Sequence, residues 1–251
     1  MLARYVRRAV LVGIATLSLC AASTANEEPR VVPTLRILML SNLPEVVTYQ
    51  DQGFADFMRE TKHVPVTTIE VASIVQAGLE AGLNAASKGY KVSVESADTR
   101  SKAEREQALS ADAVKAWAQV TLQRPDVDAV VVVDQGTTRF ERYVKGISHV
   151  TKIGLLGIEK LTMVFTMPAI SIYVATSEEP CASSSPVRRT RIPAIYSKWA
   201  DDMANGPSAA VHTQAQTLIS QELFLAIKEA LERGGARVGA CMEKGRTARV
   251  P

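Results

Sequence analysis

The chain has 251 residues, 47% apolar and 22% charged, which is enough apolar material for the packed core of one domain. Its formal charge is +3, from 29 basic and 26 acidic residues, but residues 1–25 carry Arg4, Arg7 and Arg8 and no acid, so the rest balances at 26 against 26. A neutral balance argues against nucleic acid or a polybasic membrane contact, and 5% aromatic content argues against a surface that stacks bases or sugars.

The first element is a leader. "MLARYVRR" is basic, and "AVLVGIATLSLCAA" is an apolar run of signal-peptide length, short for a bilayer span. "STANEEP" follows, with Ser23 and Ala25 spaced for a signal peptidase. The pattern predicts cleavage after Ala25, with Ala22 as the second choice, and a periplasmic or secreted product with no membrane span. A lipid anchor on Cys20 fits less well, because Leu19 stands where a small residue is needed. An uncleaved anchor is the other alternative.

"TLRILMLSNLP" reads as a buried strand over Leu35–Leu40, stopped at Pro44. "DQGFADFMRETK" reads as a short helix. In "TTIEVASIVQAGLEAGLNAASKGY", Thr67 and Glu70 have capping-box spacing. Val71, Val75, Leu79, Leu83 and Ala86 recur at helical spacing, and Gly89 suits a C-cap. Gly78 and Gly82 share a neighbouring face, where close packing against a strand or helix explains them better than a ligand. "YKVSVES" alternates as a strand, and "ADTRSKAEREQ" is charged and exposed. Ser110 caps a helix whose stripe is Val114, Trp117, Ala118, Thr121 and Leu122. Pro125 ends it before the apolar strand "VDAVVVV". Strand, helix and strand at this spacing predict a βαβ unit with parallel strands.

Beyond it "HVTKIGLLG" and "LTMVFTMPAISIYVATS" read as strands, with Pro168 marking a bulge, an edge or a turn. "SEEPCASSSPVRRTRIP" reads as a long polar loop. The strongest helix follows, with Ala215, Ile219, Leu223, Ala226 and Ala230 on one face and Gly234-Gly235 closing it. The predicted layout is a signal peptide over 1–25, an α/β domain over 26–235 and a disordered tail over 236–251. The fold class is α/β, a mixed and partly parallel sheet with flanking helices in a single compact domain.

Few residues advertise chemistry. Cys181 and Cys241 remain after the leader and are candidates for a disulfide in an oxidising compartment; spacing alone leaves the pairing open. "GISHV" sets Ser148 beside His149 without the second glycine of a nucleophile elbow. His63, His149 and His212 are dispersed and lack zinc-helix spacing, so no metal and no cofactor is expected. Glu178-Glu179, Asp201-Asp202, Arg188-Arg189-Thr190-Arg191 and the tail residues Arg237, Lys244, Arg246 and Arg249 read as solvated charge.

Asp134 is the one pocket candidate, because it ends an apolar strand and sites in open α/β sheets form beyond strand C-termini. The string "DQGTT" resembles the phosphate-binding turn of sugar kinases of the glycerol-kinase type. The likeness stops at Asp134–Thr138, in a chain about half the length that fold needs. An aspartyl-phosphatase pattern fails too, since Gly136 stands where its second Asp belongs.

A broader likeness runs through "LRILMLSNLP", "IVQAGLEAGLNAASKGYKVSV", "VDAVVVVDQGTTRF", "YVKGISHVTKIGLLG" with Tyr143 and Gly146, and the closing helix. This layout resembles small envelope α/β proteins with a core similar to the N-terminal domain of TolB, the curli secretion protein and the penicillin-binding-protein activators. Residues 45–66 and 177–208 depart from it. The resemblance implies a structural or assembly module and carries over no catalytic residues. The expected role is a non-catalytic envelope accessory with an envelope protein as partner, in an oligomeric state the sequence leaves open. The alternatives are a small periplasmic hydrolase with a carboxylate or hydroxyl site near Asp134 and a periplasmic solute-binding protein.

Overall fold

The apolar block at Leu35–Leu40 becomes an interior strand of a sheet. The computed structural model describes residues 32–52, 62–105, 107–135, 153–158, 161–191 and 209–248. Ten strands and five helices run in the order β1 (Thr34–Ser41), β2 (Val46–Gln52), β3 (Lys62–Thr68), α1 (Val71–Ala86), β4 (Lys91–Ser96), α2 (Lys102–Arg105), α3 (Ala111–Leu122), β5 (Ala129–Gln135), β6 (Ile153–Ile158), β7 (Leu161–Thr166), β8 (Pro168–Tyr173), β9 (Ala182–Ser184), β10 (Arg188–Arg191), α4 (Ala209–Arg233) and α5 (Gly235–Thr247) among the described residues. Residues from Val32 onward cluster as one compact α/β unit.

Two five-stranded sheets share these strands, in the orders β4-β1-β5-β8-β9 and β10-β7-β6-β2-β3. In the first, β1 lies parallel to both β4 and β5, with Ile37 opposite Val94 on one side and Ala129 on the other. The predicted βαβ unit is therefore real, but β1 sits between its two strands. β8 and β9 extend the sheet antiparallel. In the second sheet β2 and β6 are parallel and the other pairs antiparallel. Among the described residues the chain changes sheets at three short corners, Asn42–Glu45, Met167 and Ser185–Val187. Pro168 accounts for the second: it opens β8, where it faces Gln135.

Side-chain alternation decides which helix covers which face. Ile37, Met39, Val131, Val133, Ile170 and Ile172 point to one side and bury against α1, α4 and α5. Leu38, Leu40, Val130 and Val132 point to the other and bury against Val114, Ala118 and Leu122 of α3. Each large apolar side chain buried this way contributes roughly 1.5–3 kcal/mol before entropy is charged against it. α4 also covers the second sheet, sharing its core with Ile153, Leu155 and Val164.

Gly78 and Gly82 explain how α1 and α4 lie so close. A Cβ on Gly82 would stand 2.8 Å from Leu231 Cβ, and one on Gly78 3.1 Å from Ile227 Cβ. Close packing against a helix is the observed reason for both glycines.

Several sequence expectations need correction. The tail over 236–251 is not disordered through its length: Gly235–Thr247 is helix α5, which buries Val238, Cys241, Met242 and Gly245. Those positions are spaced i, i+3, i+4 and i+7, a helical stripe concealed by its cysteine and glycine. The polar loop after Tyr173 contains β9 and β10. Thr67 and Glu70 form no capping box, because Thr67 is held in β3 and Glu70, as N-cap, makes no side-chain cap bond. Ser110 does cap α3, its hydroxyl accepting from the Ala113 amide at 3.3 Å. The leader, the cleavage sites, Cys20, most of the helix proposed over 51–62, Gly136–Thr138, Tyr143, Ser148, His149 and Asp201-Asp202 lie outside the described residues.

Candidate functional site

The C-terminal ends of β4, β1 and β5 bring together the polar residues most able to form a site. β1 ends at Ser41 and passes to Asn42, whose amide donates to the Val133 carbonyl at 2.8 Å. Asp134 is the next residue of β5. Ala97 continues β4 by donating to the Met39 carbonyl, and this places Asp98 and Arg100 beside the same edge.

Asn42 is the hub, only 4% exposed. Its Nδ2 donates to Asp134 Oδ1 at 3.0 Å and to the Leu109 carbonyl at 3.1 Å, while its Oδ1 accepts from the Leu109 amide at 2.8 Å. One side chain thus ties β1, β5 and the segment leading into α3. Asp134 Oδ1 also accepts from the Gln135 amide at 2.6 Å. Arg100 donates to the Ser41 carbonyl at 3.0 Å and forms a two-pronged pair with Asp98, from Nε at 2.9 Å and Nη2 at 2.7 Å. The Asp98 and Arg100 side chains are 7% and 15% exposed. Burial alone would push the Asp98 carboxyl up; the hydrogen bonds from Arg100 and the charges of Arg100 and Arg105 outweigh it and hold it below the usual range. Arg105 joins the group to Glu45 at 3.0 Å and to the Arg100 carbonyl at 2.7 Å.

Asp98 is thus a charged acceptor already occupied by a guanidinium, and Asp134 shares its Oδ1 between two donors. Ser41 Oγ is buried and bonds to no described group, so it has no base among them to activate it. The edge works as a clasp among the described residues.

Of the sequence candidates, Asp134 stands where the strand pattern put it, and Cys181 and Cys241 are joined as a disulfide with Cα atoms 5.7 Å apart. His63 lies in β3 and His212 in α4, on separate elements. Among the described residues no group of three His, Cys, Asp or Glu is placed to hold a metal. Arg188 is not solvated charge: it pairs with the buried Glu222 at 2.8 Å and with Glu229 at 2.7 Å, fastening β10 to α4. Glu179 pairs with Lys115. Asn42, Asp98 and Arg100 were missed by sequence reasoning. Their signal was position, since each follows a strand of the parallel set.

Two cavities lie elsewhere. One of about 460 Å³ opens between β8–β9 and the elbow joining α4 to α5, and one of about 400 Å³ lies between the end of α3 and residues 174–178. Asp134 lines neither.

No family model matches the chain, and no curated protein matches it. A solved structure similar to it is protein XCC0632 from Xanthomonas campestris, described with the family DUF330, at 9% identity over 87% of this chain and 91% of that one. The TM-score is 0.34, too low to carry an argument about fold or function. No helix among the described residues is long and apolar enough to cross a membrane.

Proposed function

We propose that the chain is a non-catalytic accessory module of the cell envelope, exported by its leader and acting by contact with an envelope protein. One observation carries this: the groups at the strand C-termini, where an α/β enzyme would keep its reactive side chains, are bonded to one another through Asn42, Arg100 and Asp98. The Cys181–Cys241 bond supports an oxidising compartment. The resemblance to TolB-like and curli-secretion-like cores agrees in kind.

A panel of generic ester and phosphoester substrates tests the catalytic side. The purified mature chain is expected to turn over none of them. Turnover that Asp134→Ala abolishes, in a variant that still folds, would establish a hydrolase instead. Fractionation of cells producing the full chain tests the export side. A periplasmic product beginning at Asn26 with Cys181 and Cys241 oxidised is expected, and a full-length reduced product in the cytoplasm would refute it.

A further inference from the structure

The cavity between β9 and the α4–α5 elbow carries an inference independent of the accessory role. Its floor is apolar, built by Ile170 and Ile172 of β8, Ala182 of β9, Leu231 of α4 and Val238 of α5. Its rim is cationic, with Arg233 at the end of α4 and Arg237 in the first turn of α5. Among the described residues no Asp or Glu lines it. Arg237 makes no hydrogen bond or ion pair with any described residue, and Arg233 spends only its Nε, on the Glu229 carbonyl at 3.2 Å. The α4 C-terminus and the α5 N-terminus meet at Gly234, so their partial end charges offset each other and the two guanidinium groups set the sign of the field. Ser185 and Val187 complete the β9 side, and Val187 is 41% exposed, an apolar side chain left open at the mouth.

We propose that this groove binds a single-chain amphiphilic anion, its carboxylate or phosphate head held by Arg233 and Arg237 and its acyl chain laid on the apolar floor. Charge complementarity selects the head, because two guanidinium groups with open donors and no competing acid make charge-assisted hydrogen bonds to an oxyanion. The volume, about 460 Å³, is that of a small-molecule pocket. The disulfide sets the width of the groove. Cys181 immediately precedes β9, and Cys241 lies one turn beyond Arg237 and Val238 on α5, so the bond joins the two walls.

The test is calorimetric titration of the oxidised full mature chain with monomeric dodecanoate. One site per chain is expected. Dodecanol, which keeps the chain without the charge, and acetate, which keeps the charge without the chain, should each bind at least about tenfold more weakly. Arg233→Gln with Arg237→Gln should weaken dodecanoate at least about tenfold while leaving the thermal midpoint near wild type. Ser185→Trp, which fills the mouth and leaves Arg233 and Arg237 unsubstituted, should also abolish binding, and it decides the matter if the double variant fails to fold. Cys181→Ser with Cys241→Ser should weaken binding. No dodecanoate binding by the wild type, equal binding of dodecanol, or unchanged affinity in the arginine or tryptophan variants overturns the proposal. So does attachment to phosphatidylglycerol vesicles by a chain that ignores monomeric dodecanoate, since that describes a membrane-facing surface and no groove.

Discussion

Asn42 shows how much one polar residue can hold. Its amide satisfies both backbone groups of Leu109 and reaches Asp134, so Asn42→Ala leaves buried or half-buried groups without partners. A loss of about 2–3 kcal/mol in urea unfolding is expected, against about 1 kcal/mol for Asp134→Ala, which removes one of those bonds. Equal losses would mean that Asp134 and not Asn42 organises the edge. Asp98 gives a prediction in pH. Its carboxyl lies lower folded than unfolded, so the ion pair contributes fully above the unfolded value of about 3.9 and is lost as pH falls through the folded one. Asp98→Asn should therefore cost about 1–2 kcal/mol at neutral pH, between a surface pair and a buried one, and the gap to wild type should close below about pH 4. Thermal melts from pH 7 to pH 3 measure it; a gap independent of pH would remove the ion pair as its cause.

Helix contacts carry the next scale. α1 meets α4 across Gly78 and Gly82, and at Gly82 a methyl group would press on Leu231 and on the Lys228 carbonyl, 3.0 Å away. Alanine raises helix propensity by about 1 kcal/mol over glycine. Overpacking at so close an approach costs about 1–3 kcal/mol, so Gly82→Ala should be net destabilising. At Gly235, in the first turn of α5, an added methyl group would meet nothing within 4 Å, so Gly235→Ala should be neutral or stabilising. Comparison of the two thermal midpoints checks this, and a stabilised Gly82→Ala would show that the helices have room. Strand, helix and stripe positions in β1, α1, α3, β5 and α4 were legible because their apolar periods are regular. α5, β9 and β10 were not, because their stabilisation comes from what they dock on: α5 on the sheet through Met242 and Gly245, and β10 on α4 through Arg188.

At the scale of the whole molecule the disulfide spans 60 residues and joins the edge of the first sheet to the last helix. Cys181→Ser with Cys241→Ser should lower stability by about 2–4 kcal/mol through the freedom returned to the unfolded chain. Denaturation with and without reductant measures it; a reduced wild type as stable as the oxidised one would show that packing alone keeps α5 in place. By itself the sequence determined the α/β class, the parallel strands "YKVSVES" and "VDAVVVV", the closing helix and the end-of-strand position of Asp134. Those follow from local periodicity and chain punctuation, which need no knowledge of neighbours. Only the tertiary structure decided that β1 separates β4 from β5, that the tail folds as α5, that Cys181 meets Cys241, that Asn42 reaches Asp134, and that Arg100 ties Asp98 to the Ser41 carbonyl. Each depends on residues far apart in the chain, whose proximity is set by sheet order and by the burial of shared apolar faces.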